Sequence, residues 1–478
     1  MTQFNNVSGI FPHLSVSADV LPFRTECGIG GLMSWADRLW MITYVAHYGE
    51  GSGLYEIDHN LNMRKHPESV VGTYANRLIH SASNSIIIGP HIIDHKGNVR
   101  TIDGVKDYRL AATMEHLTDP QNKVYFLSME GPMLEVDLNT FKTEVLFDLT
   151  EELAVAEKYQ NAMAKASTME TDKIGNNVIA NRPQPHFKAG HTAAGRVVVA
   201  NNTFSELDHT GEHQGGRLAE WDGKQWTIVQ RTAFNEVTGR KNWGEVIFAT
   251  GWDRASAIMM AFINGEWQKY RLPKASHNFE HFWQTEWPRI REIETERYMM
   301  DASGMFYELT PVPFRNKIWG IKPVCSHIRV IADYTCWKGM MVMGSNQTSP
   351  VGDTNLVTGY PESNLWFGKP DDLWQWGKPA GWGGPWWEEE VKANLPSDPY
   401  LMTGFDKKVL HLTQKSEDEV TFKLEVDFLG DGSWVIYDRV KVQADGYVHH
   451  EFPTGFSAHW IRVTPDLDCQ ATAYFIYT

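Results

Sequence analysis

Cysteine is scarce. Cys27, Cys325, Cys336 and Cys469 are the only four in 478 residues, far too few for a disulfide scaffold. No apolar run approaches the ~18–20 residues that a bilayer-spanning helix requires. The opening MTQFNNVSGIFPHLSVSADV has neither a basic region nor a continuous apolar core, so no signal peptide is legible. A cytoplasmic location is expected, or a periplasmic or secreted one if a leader has been removed. Positive charge does not dominate either: 59 acidic residues against 44 basic ones leave −15, which argues against a nucleic-acid partner. The nucleophile elbow G-x-S-x-G, the Walker loop and H-E-x-x-H are all missing. Helical periodicity is nearly absent, and LTEELAVAEKYQNAMAKA (149–166) is the best helical candidate.

What is present points to sheet. A 42% hydrophobic fraction with 12% aromatics belongs to an ordered chain, and short apolar runs bounded by Gly, Asn and Asp read as strands and hairpins. Seven units stand out: WADRLWMITYVAH (35–47), HSASNSIIIGPHIID (80–94), HLTDPQNKVYFLSMEG (116–131), HTAAGRVVVANN (191–202), WGEVIFATGWDRASAIM (243–259), WPRIREIETERYMMDASGMFYEL (287–309) and IRVIADYTCWKGMMVMG (328–344). Multi-strand repeats of about 40–55 residues mark propeller blades. The expected fold is therefore all-β, a seven-bladed β-propeller over residues 1–395 with a C-terminal β module over 396–478 that packs on it or closes it. Six or eight blades, or a pair of β-sandwiches, are the alternatives. The Gly/Pro/Trp-rich stretch 377–400 reads as the connector.

In a propeller the first strand of each blade faces the central channel, so equivalent positions converge on the axis. His80, His116 and His191 are each expected to open such a strand, as are Trp35, Trp243 and Trp287. Imidazoles and indoles around a channel mouth suit sugar binding and proton transfer; taken singly, each has a plainer use in capping a turn or filling the core. Two stretches bring basic groups together, Arg77, His80, His91, His95 and Arg100 in one, Arg182, His186, Lys188, His191 and Arg196 in the other. Together they offer the local positive pocket that holds a carboxylate. Arg289 and Arg291 share one strand face, where pairing with Glu292 and Glu294 is the competing use. No acidic pair recurs in a first-strand setting, which weighs against a two-carboxylate glycosidase. Cys325, His327 and Cys336 offer three ligands for a structural zinc, with His277 or His281 as a fourth; buried free thiols are the commoner outcome.

The runs ANRLIH, SIIIGPHIID, NKVYFLSMEGPMLEVD, GHTAAGRVVVANN, WPRIREIETERYMMDASGMFYEL, GWGGPWW, SDPYLMTGFD, VDFLGDGSW and FSAHWIRV resemble a group of seven-bladed propeller enzymes from about residue 30 to the C-terminus. These are the L-rhamnose-α-1,4-D-glucuronate lyases (polysaccharide lyase family 42), with related propellers classed as α-L-rhamnosidases (glycoside hydrolase family 145) and ulvan lyases as more distant relatives. The resemblance implies removal of rhamnose from O4 of glucuronate by β-elimination. A base takes the C5 proton once the carboxylate is neutralised, and an acid protonates O4 as rhamnose leaves. It implies His80 and Tyr125 as the acid/base pair, in either order, and a second histidine that is His91, His59 or His66. His191, Arg196, Arg254 and His116 are the implied substrate-binding groups. The rhamnosidase-type relatives imply instead a hydrolase working through His47, and a non-catalytic sugar-binding propeller is the third reading. The chemistry requires no cofactor, with a structural zinc or calcium left open. The expected partner is a uronate-containing oligosaccharide in a disaccharide-sized, exo-acting pocket, with neither nucleic acid nor membrane; the oligomeric state is not legible.

Overall fold

The computed structural model describes residues 14–17, 26–45, 53–155, 185–202, 215–240, 245–275, 287–294, 297–327, 331–345, 347–348 and 362–478. Within them α-helix is confined to Leu149–Glu152, started by the Asp148 carboxylate accepting the Thr150 N–H; residues 156–166 of the helical candidate lie outside the described residues. Among the described residues no helix is long and apolar enough to cross a membrane.

Seven four-stranded antiparallel units form a propeller. Their first strands are Glu26–Trp35, Arg77–His80, Leu110–Glu115, Phe187–Ala193, Ala233–Arg240, Arg289–Glu294 and Ile331–Trp337, blades 1 to 7 in that order. Each packs beside the next, and the seventh packs back against the first. Blade 7 takes its fourth strand from the other end of the chain: Leu14–Ser17 pairs antiparallel with Glu362–Gly368, so the ring is closed by both ends of the propeller segment. Tight hairpins recur where Asn264-Gly265, Ser303-Gly304 and Lys338-Gly339 sit at positive φ, the two-residue turn geometry that matches strand twist.

The seven expected units match the seven blades, but their edges do not. His80 ends its strand, His116 follows one, His191 lies inside one and Trp35 ends one, whereas Trp287 precedes one. The apolar runs legible in sequence are mostly second strands, fully buried as in Ser85–Ile88. First strands carry polar residues toward the channel and so lack that signal.

The C-terminal module is a sandwich of two sheets. One holds Gly381–Val391, Cys469–Tyr477, Lys408–Lys415 and Tyr447–Glu451; the other holds Tyr400–Leu401, Trp460–Pro465, Val420–Asp427 and Val435–Val442. The second sheet continues blade 5, because Tyr400 pairs parallel with Arg271 on that blade's outer strand. One buried cluster runs from Met259 and Tyr307 of the propeller to Tyr400, Trp460 and Phe475 of the module. The stretch read as a connector contains the strand Gly381–Val391, so the module's first strand lies inside the span assigned to the propeller. Its glycines and prolines mask an 11-residue strand that pairs with Cys469–Tyr477.

Candidate functional site in the central channel

A cavity of about 910 Å³ follows the propeller axis, walled mainly by first strands. These strands are not regular. Pairing with the second strand skips residue 111 in blade 3, 188 in blade 4, 235 in blade 5 and 332 in blade 7. A bulged residue leaves the ladder and re-aims its side chain, and Ala111 and Lys188 line the cavity. Gly30 is skipped in blade 1 in the same way; a Cβ there would lie 1.7 Å from the Tyr74 carbonyl oxygen, so only glycine lets blades 1 and 2 approach this closely.

Four cations meet two anions at mid-channel. Asp333 lies 3.1 Å from Arg77 Nη1 and 2.7 Å from Arg291 Nε, and accepts the Leu32 N–H at 2.7 Å. Arg291 also reaches Glu236 at 3.0 Å. Arg289 stands 3.9 Å from Glu236 and donates to the Ala332 and Pro288 carbonyls, each at 2.8 Å. Lys188 is the fourth cation. Among the described residues, Arg77, Arg289 and Arg291 against Glu236 and Asp333 leave one positive charge in excess at this level. Burial alone would raise the Asp333 carboxyl, but Arg291, Arg77 and Arg289 hold it below the usual range. Arg291, clasped by two carboxylates, is pushed up in spite of its burial. Burial depresses Arg289, and takes Arg77 down to about 10. The protein therefore compensates Arg291 fully and the other two arginines incompletely.

Trp287 packs behind the cavity wall at Ala111. Its indole is buried in one cluster with Tyr44, Ala111, Met129 and Ala332, drawn from blades 1, 3 and 7. Tyr44 meets it edge-on at 5.1 Å, while Lys188 Nζ and the Arg289 guanidinium lie 5.0 and 4.9 Å from its ring centre. Cation–π attraction thus holds two of the four cations beside the indole. The walls also carry Thr238, Glu294, Thr335 and Met340, where Glu292 pairs with Arg240 at 3.7 Å and Glu294 with Arg297 at 3.2 Å.

No family model and no curated protein matches the chain. Solved structures are similar at low identity. The RRP9 WD40 repeats share 8% identity over 71% of this chain and 94% of theirs, at a TM-score of 0.40. The β-propeller domain of Cps50 (Swd1) from Myceliophteria thermophila shares 10%, over 70% and 95%, at 0.38. U3-55K shares 8%, over 71% and 95%, at 0.40. The blade count stands on the strand pairing described above.

Of the residues implied for chemistry, His191 lines the cavity. Its Nε2 is buried without a hydrogen-bond partner, and burial takes its pKa down to about 4. His80 and Tyr125 do not reach the channel. His80 is fully buried; its Nε2 donates to the Pro120 carbonyl at 2.8 Å, which leaves Nδ1 to accept from Ser83 Oγ at 2.6 Å and cap the turn Ser81–Ser83. Tyr125 is buried in the core between blades 3 and 4, its hydroxyl accepting the Leu117 N–H at 3.3 Å and its pKa pushed up to about 12 by burial. His91 is also sealed in, with Nδ1 on Thr101 Oγ1 at 3.0 Å and a pKa taken down to about 4 by burial. His116 stacks on Tyr125 at 4.5 Å and pairs with Glu135 at 2.8 Å. Arg196 is bound by Glu220 at 2.8 Å and lies over Phe262 at 4.0 Å. Arg254 lies over Trp387 of the module at 5.3 Å, paired with Glu388 at 3.3 Å. His47, Arg182, Trp243, His277 and His281 lie outside the described residues.

The zinc ligands are not brought together. Cys325 ends the outer edge of blade 6, buried; His327 Nε2 meets Asp301 at 2.9 Å; Cys336 is on the first strand of blade 7 and donates to the Ile293 carbonyl. Burial raises both thiols, to about 12 and about 11, the opposite of a metal-binding thiolate. Among the described residues no group of three His, Cys, Asp or Glu side chains is placed to hold a metal. Sequence reasoning, which found no recurring acidic pair in a first-strand setting, missed Glu236 and Asp333 in the first strands of blades 5 and 7. The available signal was a lone carboxylate inside each of the runs AFNEVTG and IRVIADYTC.

Proposed function

We propose that the channel binds the carboxylate of a small acidic saccharide, a uronate, and that its reaction is the β-elimination which the sequence resemblance implies. The observation that carries the binding half is the arginine cluster at mid-channel, three guanidiniums against two carboxylates among the described residues. Nη2 of Arg289 and Nη2 of Arg291 have no hydrogen-bond partner among the described residues, and a guanidinium edge suits a carboxylate. Glu236 and Asp333, both engaged by Arg291, are poorly placed to act as a glycosidase pair.

Elimination needs the uronate carboxylate neutralised before C5 gives up its proton. Arg289, 3.9 Å from its nearest carboxylate, supplies that charge. The proton work moves from His80 and Tyr125 to the cavity wall, where His191 and Tyr298 stand. His191, kept neutral by burial, suits the base that takes the C5 proton. Tyr298, its pKa pushed up to about 12 by burial, keeps its proton at neutral pH and suits the acid that protonates O4.

Calorimetry with glucuronate tests the binding half: Arg289→Lys, which keeps the charge and loses the fork, is expected to weaken binding about tenfold or more. Rhamnosyl-α-1,4-glucuronate tests the chemistry, through the ultraviolet absorbance of the new C4–C5 double bond. His191→Gln should abolish that signal and leave glucuronate binding in place. Glucuronate binding with no turnover by the wild type would make the protein a sugar-binding propeller, and saturated glucuronate as product would favour the hydrolase.

A further inference from the structure

The outward face of the C-terminal sandwich carries a row of rings across all four strands of one sheet. His411 is directly opposite His449 on one side and Tyr474 on the other. Tyr447 stacks against His411 at 6.0 Å, its hydroxyl 2.9 Å from Nδ1. Trp387 meets Tyr474 edge-on at 5.1 Å. These positions alternate with buried ones along Lys408–Lys415 and Cys469–Tyr477, so the rings belong to the solvent face. Tyr447 is 59% exposed and Trp387 37%, whereas the adjacent Trp386 is in the core.

We propose that this row, Tyr447–His411–Tyr474–Trp387, is a binding site for a neutral oligosaccharide, separate from the channel and independent of its chemistry. Tyr447 and Trp387, at the two ends of the row, stay partly in water, Trp387 with the Arg254 guanidinium 5.3 Å from its ring centre, and exposed ring surface at aligned positions on one sheet marks a binding face. Three interstrand steps of about 4.8 Å make a strip about 14 Å long, the length of a short glycan rather than one sugar. A pyranose presents an apolar C–H face to a ring's negative quadrupole, and hydroxyls at its rim. His449, Thr413 and Glu451, outward on the same strands, meet that rim. Charge selects among polymers: Glu388 is paired with Arg254, while Glu390 and Glu451 are exposed around the row and repel uronates and nucleic acids alike. The channel wants an anion; this face wants a neutral chain.

The test is native affinity electrophoresis of the full chain through gels containing galactan, glucomannan or xylan, with polygalacturonate and single-stranded DNA as anionic controls. At least one neutral polymer should retard the wild type while both anionic polymers leave it unretarded by this face. Trp387→Ala and Tyr447→Ala should each weaken that retardation about tenfold, with glucuronate binding in the channel and the melting temperature unchanged. Tyr447, the more exposed ring, serves where loss of Trp387 disturbs the fold. Absence of retardation by all three neutral polymers would overturn the proposal. So would retardation that survives both substitutions, or that disappears in Arg289→Lys instead, because the channel would then be the binding site.

Discussion

Both ring nitrogens of His80 are engaged where blade 2 meets blade 3, one on a hydroxyl and one on a carbonyl, which locks a single neutral tautomer. His80→Ala should therefore cost about 1–3 kcal/mol of stability through the unpaired Pro120 carbonyl and leave turnover of the folded protein unchanged. The urea midpoint and the ultraviolet assay together check this; lost turnover at an unchanged midpoint would return His80 to the chemistry. Burial takes His91, His191 and His459 from 6.5 down to about 4. Between those values the unfolded chain binds protons that the folded chain refuses, so stability falls as pH drops from about 6.5 to about 4 and is flat with respect to these groups above that window. Thermal melts across the window check the slope, which His91→Gln should reduce. At this scale sequence reasoning identified Lys188, His191, Arg289 and Arg291 as residue types suited to an acidic sugar. It could not separate them from His80 and Arg196, which have the same chemistry but are occupied by Pro120 and Glu220.

Elements were legible where chain geometry alone dictates them. Asn264-Gly265 and Ser303-Gly304 mark hairpins because two successive positive φ values suit few residues. The alternation of Lys408–Lys415 marks a half-buried strand. The first strands were misplaced because bulges at Lys188, Asn235 and Ala332 break their period, and a bulge depends on what the neighbouring blade offers. Leu14–Ser17 is the element whose partner lies farthest along the chain. Deleting residues 1–17 would leave Glu362–Gly368 with an open edge, and is expected to lower the melting temperature by at least about 3 °C, read by calorimetry. An unchanged melting temperature would mean that blade 7 closes the ring with three strands.

Propeller and module share one buried cluster and one continuous sheet, and Arg271 ties Asp253 of blade 5 to Asp398 of the module at 2.8 and 2.9 Å. The two should melt in a single calorimetric transition. A chain ending before Gly381 would expose the propeller's side of that core and is expected to be recovered unfolded or aggregated; two resolved transitions would contradict this.

Composition and local pattern by themselves determined that this chain is all-β, that it repeats seven times, and that a β module follows. Those properties depend on short-range periodicity and turn chemistry, which each segment carries alone. Only the tertiary structure decided which cations share a cavity, because seven first strands drawn from Glu26 to Trp337 must close into a ring before Arg77, Lys188 and Arg291 meet. Burial then sorts identical side chains into those already paired and those with charge left for a ligand.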